Sequence, residues 1–499
     1  MSQSNPVSDD QSGASENTIA FGTGIGRRVL AMAIVASGIG FLDATVVNVA
    51  LPKIEAELGG GFATIQWVLD AYLLTLGALV LVGGALGDSL GRKRVFVWGV
   101  SGFAVTSLLC GLAPNATTLI VARALQGVAA ALMIPGSLSL LSSLFRPQDR
   151  GRAIGAWSGL AGLVTALGPF VGGVLVDSGS SGWRWVFLLN LPLAAVVLWL
   201  ARGIPTPDVD QRKNASLPPL REQIDFAGAG LTILGLALIV TPLIEARNIP
   251  GWLTAASILA GLAVLYGFWL LEQHREIRRT PPPMLPPSLW KIRSFSMANF
   301  ITLFIYGGLS SVLLLFTIGF QIGLGWSALA AGAAGLPITL VLALLSSRIG
   351  GLLPKYGSRN LLTLGASLIC LGALGLAALP DDASYWVNVL PPLLVFALGL
   401  AFMVAPITTT ALGDIPVASS GTGSGVNNAV ARIAGLIAIA LVPLAAGLTS
   451  FDAEAGATVL PGYRRAMLIC AALLALAAVL SWFGFSKETG RVTGEATAD

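Results

Sequence analysis

Long apolar runs recur along this chain, each followed by a short polar segment. A helix that crosses a bilayer needs roughly 20 mostly apolar residues. Runs of that kind fall near 28–50, 65–87, 95–113, 117–141, 153–176, 184–201, 225–244, 252–271, 295–320, 327–347, 360–379, 386–412, 425–449 and 464–485. The pattern predicts fourteen membrane-spanning helices and an all-α membrane protein. The first run follows Arg27 and Arg28, but it is too long for a secretory leader. Asp43 and Asn48 also lie where small cleavage-site residues would be needed. It reads as a permanent span.

The polar segments set an orientation. Most of the 29 Lys and Arg fall on one side if the N-terminus is cytoplasmic, in clusters such as Arg92/Lys93/Arg94, Arg146/Arg150/Arg152 and Arg275/Arg278/Arg279. That bias predicts both termini inside a plasma membrane. Trp183 and Trp185 flank Arg184 and read as an aromatic belt at a membrane edge. Composition agrees: 55% hydrophobic and 11% charged residues, against about 25% charged in soluble domains. The net charge of +4 sits in the short loops and speaks to topology, not to nucleic acid. One histidine, His274, and three dispersed cysteines offer neither a metal site nor a disulfide framework. Nothing resembles a phosphate-binding Walker loop, so no cofactor and no ATP-driven engine is expected.

The chain also repeats itself. Residues 83–94 read GGALGDSLGRKR after the second run, and residues 350–361 read GGLLPKYGSRNL after the tenth. Internal six-span repeats are a common transporter plan. The expected organisation is a disordered cytoplasmic N-terminus (1–26) and a first six-span bundle (27–202). A cytoplasmic linker (203–223), two inserted spans (224–272) and a cytoplasmic loop (273–293) follow. A second six-span bundle (294–486) and a cytoplasmic tail (487–499) complete it.

Ionisable residues inside spans are costly and mark functional candidates. Asp43 lies about 15 residues into an outward-running first span, about 22 Å from its inner end at ~1.5 Å per residue. Asp70 and Arg123 reach a similar depth in spans 2 and 4. Two acids and an arginine at one level suggest a coupled site in which a carboxylate takes and releases a proton; a structural ion pair or snorkelling to the interface is the alternative. Gln126 shares a helix face with Arg123 and either extends a polar patch or makes a helix–helix hydrogen bond. Asn428 and Arg432 share a face in span 13 and would either meet substrate or let the arginine snorkel. Gly168, Pro169, Gly172 and Gly173 allow a hinge-like bundle contact or plain small-residue packing. Aromatic residues such as Trp67, Tyr72 and Tyr306 either line an amphiphilic cavity or face lipid and other helices.

Several of these segments carry a resemblance. Gly83, Asp88, Gly91 and Arg92, within residues 83–94, resemble the loop between spans 2 and 3 that marks the major facilitator superfamily. Residues 42–52, LDATVVNVALP, look like the first-span signature of its fourteen-span drug:proton antiporters. Residues 123–135, RALQGVAAALMIP, resemble the superfamily's fourth-span pattern. Gly155, Gly168-Pro169 and Gly172-Gly173 are similar to the fifth-span antiporter motif, with Val164 where a glycine is usual. Trp183-Arg184-Trp185, Asn190, Pro192, Asp225 and Gly228 are similar to the same family. The resemblance implies two six-helix bundles plus two extra central helices. It also implies proton coupling at Asp43 and Arg123, gating by the loop and fifth-span residues, and export of small amphiphilic compounds in exchange for protons. A dedicated exporter of one metabolite or antibiotic, and a non-transporting scaffold or sensor on the same fold, are the alternatives. Expected partners are the lipid bilayer, protons and a small-molecule substrate; a monomer is compatible with everything above.

Overall fold

A computed structural model describes residues 19–204, 219–416, 419–448 and 456–486. The expected N-terminal segment lies mostly, and the linker partly, outside the described residues; the tail lies wholly outside them. Regular structure is helical throughout, apart from one isolated bridge between Ile19 and Phe145. A bilayer offers no water to exposed peptide groups, and a helix satisfies its own.

Numbered in chain order, the long helices are α1 (Gly24–Leu58), α2 (Gly61–Leu90), α3 (Arg92–Gly111), α4 (Ala116–Leu144), α5 (Pro147–Val176), α6 (Trp183–Ala201) and α7 (Phe226–Ile244). They continue as α8 (Gly251–Arg278), α9 (Arg293–Gly323), α10 (Ala328–Ser346), α11 (Leu353–Ala377), α12 (Tyr385–Gly413), α13 (Ser420–Ala445) and α14 (Gly456–Gly484). Thirteen of them coincide with segments long and apolar enough to span a membrane. The remaining one, α5, is a 30-residue helix whose apolar residues include Leu167–Val176; the side chains of several positions just before Leu167 lie outside the described residues.

Caps explain where the chain enters these helices. The Thr23 side chain accepts from Gly26 N at 3.0 Å and Asn115 from Thr118 N at 2.8 Å, which satisfies a donor at the start of α1 and of α4. The turn between α2 and α3 is a single residue, Gly91, at φ 104°. That conformation is open to glycine and costly for others. The segment expected as a loop from Gly83 is therefore mostly the last two turns of α2. The second copy repeats the device: Gly357, at φ 75°, breaks α11 close to its start.

Helices α1–α6 pack on one another, chiefly through α2–α4, α3–α4 and α1–α5. Helices α9–α14 form a second bundle through α11–α12, α11–α14, α9–α13 and α10–α12. The bundles meet along α2–α13 and along α5–α10. Adding eight to a helix number turns α2 into α10 and α5 into α13, so each seam is the repeat-mate of the other. Helix α7 lies in the crevice of one seam. Leu236, Ile239, Val240 and Leu243 of α7 pack with Leu436 and Ala440 of α13 and with Trp67 and Leu74 of α2. Helix α8 rests almost wholly on α7 and leaves its outer face exposed, with Leu259 at 66% and Tyr266 at 63%.

Gly83 is a packing residue. A Cβ there would stand 1.9 Å from the carbonyl oxygen of Ala131 in α4, whereas nothing lies within 4 Å of one on Gly84. Gly83→Ala is expected to force α2 and α4 apart and to cost about 1–3 kcal/mol by overpacking. Gly84→Ala should be neutral or slightly stabilising, because alanine favours a helix over glycine. Thermal unfolding of the two purified variants in detergent checks this, and equal melting points would refute the assignment.

Candidate functional site

The centre of the first bundle holds a buried polar network. Asp43 comes from α1, Arg123 and Gln126 from α4, Ser107 from α3 and Asn190 from α6. All five are buried, Asp43 at 0% and Arg123 at 1% exposure. Arg123 Nη1 donates to Asp43 Oδ2 at 2.6 Å and to Gln126 Oε1 at 2.7 Å. Gln126 Nε2 and Asn190 Nδ2 both donate to Asp43 Oδ1, at 3.2 and 3.1 Å. The same two amides donate to Ser107 Oγ, at 2.8 and 3.3 Å. The carboxylate thus accepts three hydrogen bonds from two helices, and both of its oxygens are engaged.

The far side of the guanidinium belongs to α2. Arg123 Nε donates to the Val68 carbonyl at 2.9 Å, and the Tyr72 ring lies 4.3 Å from the guanidinium carbon. One helical turn separates Val68 from Tyr72, so both face α4. Thr75 continues that face, donating to the Ala124 carbonyl at 2.8 Å. Close approach there needs Gly127, whose Cβ would meet the Tyr72 carbonyl oxygen at 2.4 Å.

Asp70 does not join this network. It is fully buried, yet neither carboxylate oxygen has a hydrogen-bond partner. The reason is azimuth. Two residues past Val68 is about 200° around a helix of 3.6 residues per turn, so Asp70 leaves α2 on the side away from Arg123. It shares that side with Gln66, whose Nε2 donates to the Ile439 carbonyl of α13 at 2.7 Å, and with Gly77, whose Cβ would lie 3.3 Å from Arg432 Cβ. Equal depth therefore holds for the pair Asp43–Arg123, while Asp70 looks toward the seam between the bundles.

The expected gating residues divide in the same way. Asp88 pairs with Arg92 at 3.0 Å across the Gly91 turn, and both side chains are partly solvent-exposed. Gly168 and Gly172 pack on α1, where Cβ atoms would meet Thr45 Oγ1 at 2.1 Å and Val46 Cγ2 at 2.7 Å. Pro169 and Gly173 touch the second bundle. The Pro169 carbonyl oxygen faces Gly332 of α10, and a Cβ on Gly173 would reach Leu329 Cα at 2.6 Å. Hydrogen bonds that join the bundles at that end include Leu329 N to Asp177 Oδ2 at 2.8 Å and Gln321 Nε2 to the Val49 carbonyl at 3.0 Å.

In α13, Asn428 is exposed and bonds only weakly to its own helix, at 3.5 Å. Its neighbour Asn427 instead reaches α9, donating to Asn299 Oδ1 at 3.1 Å and Thr302 Oγ1 at 3.0 Å. Arg432 is half-buried.

Other expectations are corrected. Trp183 is no belt residue. It is buried, and its indole N–H donates to Glu57 at 2.7 Å, while Arg184 pairs with the same carboxylate at 2.8 Å. Trp185 is the exposed one, at 56%. Arg275 is not a free loop cation: it ends α8 and pairs with Asp225, the buried cap of α7. Trp67 donates to Glu245 at 3.0 Å and packs against α7. A cavity of about 380 Å³ is lined by Trp326, Ala330, Ala333, Ala334 and Tyr385, none of which stood out in the sequence. Ser107 was also missed, because a lone serine in an apolar run gives no signal of its own.

Comparison with known proteins places this geometry. A family model, the Major Facilitator Superfamily, matches residues 33–439. The chain is 36% identical over 409 residues to a probable actinorhodin transporter of Streptomyces coelicolor, covering 80% of this chain and 69% of that protein. It is 34% identical over 467 residues to the puromycin resistance protein pur8 of Streptomyces alboniger, covering 90% and 89%. It is 30% identical over 457 residues to the methylenomycin A resistance protein of Bacillus subtilis, covering 91% and 93%. Among solved structures, a D-xylose-proton symporter superposes with a TM-score of 0.65 at 15% identity, covering 94% of this chain and 99% of the other. That last likeness concerns the fold alone.

Proposed function

This chain belongs to the major facilitator superfamily, and we propose that it is a proton-coupled antiporter that exports small amphiphilic compounds by alternating access. The observation that carries this reading is the buried Asp43–Arg123 pair, with both carboxylate oxygens held by hydrogen bonds. Protonation at Oδ2 turns that oxygen from an acceptor toward Arg123 into a donor, while Oδ1 can still receive Gln126 and Asn190. Taking up a proton therefore frees Arg123 and loosens the joint of α1 with α4. Proton occupancy and helix packing are then linked, as proton-driven alternation requires.

In this reading residues 27–202 and 294–486 are the two moving bodies, in a plasma membrane with both termini cytoplasmic. Asp88, Arg92 and the glycines of α5 bias their rocking, and Gln126 contributes to the proton site. Asp70, facing the seam, supplies a second titratable group.

A dedicated antibiotic exporter is the second reading, favoured because similar proteins are named for actinorhodin, puromycin and methylenomycin A. An efflux panel separates the two: one exported compound against many. The coupling itself is tested in sealed, protein-loaded vesicles. An acid-inside gradient should drive uptake of an exported compound into inverted vesicles, and adding the compound should release protons from the lumen. Uptake indifferent to the gradient would remove the antiport reading. Tags at Met1 and Asp499 should both report cytoplasmic, and one at Asp452 should report outside.

A further inference from the structure

Arg432 sits at the middle of the 26-residue helix Ser420–Ala445. At about 1.5 Å per residue either end is roughly 18–20 Å away, farther than an arginine side chain can snorkel. Among the described residues no carboxylate pairs with it. Of the two buried acids of the first bundle, Asp43 is already held by Arg123, and Asp70 lies seven residues, about 10 Å along α2, from Gly77, beside which Arg432 stands. A lone cation at this depth is expensive, and such residues mark substrate or ion pathways.

The surroundings show where the side chain stands. Arg432 leaves α13 beside Gly77 of α2. One turn away, Gly435 meets α9, where its Cβ would lie 2.7 Å from Ser310 Oγ. Arg432 therefore occupies the space between α2 and α9, one helix from each bundle. It is within electrostatic range of Tyr72 on α2 and of Tyr306 on α9. The Tyr72 hydroxyl is buried without a hydrogen-bond partner. Asn428, one turn toward the Gly91 end, is exposed on the same face. Together these groups offer hydrogen-bond donors, the half-buried ring of Tyr306 and one unpaired positive charge.

We infer that this face of α13 is the specificity element of the transport site, and that it selects amphiphilic aromatic molecules bearing a negative charge, a carboxylate or an acidic phenol. The anion supplies the counter-charge that the protein withholds from Arg432. Tyr306, half-buried on α9, flanks the aromatic body, and Asn428 adds a neutral donor. A lipophilic cation of the same shape meets an unpaired charge of its own sign and is rejected. This inference rests on the export reading above but not on its proton coupling.

The test uses three fluorescent probes with one ring system: anthracene-9-carboxylate, neutral 9-anthracenemethanol and cationic anthracen-9-ylmethylammonium. Equilibrium binding to full-length protein in nanodiscs is measured without a pH gradient. The native protein should hold the anion at least tenfold more tightly than the cation. Arg432→Gln should weaken the anion by about tenfold or more, in line with losing one charge-assisted hydrogen bond, and leave the neutral probe unchanged. Arg432→Lys should keep the order anion over cation. It carries the test should Arg432→Gln melt early. Tighter binding of the cation by the native protein, no measurable binding of the anion, or equal loss of all three probes in Arg432→Gln would each overturn the proposal. So would loss of anion binding in Asp70→Asn equal to that in Arg432→Gln, because Asp70 would then be the counter-charge. Since no gradient is applied, failure here leaves the antiport reading intact. Loss of proton coupling at Asp43 likewise leaves the order of the probes intact.

Discussion

Asp43→Asn is expected to abolish proton-driven, uphill export while leaving measurable substrate binding. Asparagine keeps the volume and one acceptor oxygen. With that oxygen in the position of Oδ1 it can still receive Gln126 and Asn190, which donate there in the native protein at 3.2 and 3.1 Å. Its amide group then faces Arg123 Nη1, donor against donor, where the carboxylate accepted at 2.6 Å. Titration is lost, and so is the event that frees Arg123. Asp43→Glu keeps titration but moves the carboxylate by one methylene within a site where both oxygens are engaged. Partial transport with a displaced pH profile is the expected result. The measurement is concentrative uptake into inverted vesicles with and without an imposed pH gradient, at matched protein content. If Asp43→Asn still concentrates substrate in a gradient-dependent way, Asp43 is not the essential proton carrier, and Asp70 becomes the leading candidate.

Much of the site was open to reading in the sequence because depth in a membrane can be counted. A rise of about 1.5 Å per residue brings Asp43 and Arg123 to one level from opposite ends of their helices, and they do form the buried pair. Azimuth cannot be counted without knowing where each neighbour stands. Asp70 has the right depth but leaves α2 on the other side from Val68 and Tyr72, the residues that touch Arg123. Asn190 was visible only as part of a family-like segment, and Ser107 not at all. Each is a single small polar group whose meaning comes from α3 and α6 packing beside Asp43. Glycines pose the same difficulty. Gly83 and Gly91 stand in one short motif, yet Gly91 is there for its positive φ and Gly83 for a backbone crossing with α4. The two inserted helices were countable as spans, but the seat of α7 between α2 and α13, with α8 resting on α7, follows from which apolar side chains face which, a tertiary fact.

Arg123→Met is expected to be among the most destabilising single changes in the chain, and the double change Asp43→Asn/Arg123→Met much less so. The single change strips Asp43 of its cation and leaves a fully buried carboxylate with two amide donors only. Breaking a buried pair by removing one partner typically costs about 3–5 kcal/mol. The double variant has no unpaired charge. Methionine fills the volume beneath Tyr72 and Phe187, which the guanidinium now occupies, and the asparagine that replaces Asp43 can still receive Gln126 and Asn190. Replacing a buried ion pair by a neutral pair of similar size is often close to neutral for stability. A double-mutant cycle on thermal or chemical unfolding in detergent should therefore show strong positive coupling between the two sites. Transport gives the complementary reading. If the pair were only structural, the refolded double variant would regain gradient-driven export along with its stability. If the pair carries the proton, the double variant should be stable, should bind substrate, and should let it equilibrate downhill without responding to the pH gradient. Recovery of uphill export in that variant would remove Asp43 and Arg123 from the coupling mechanism.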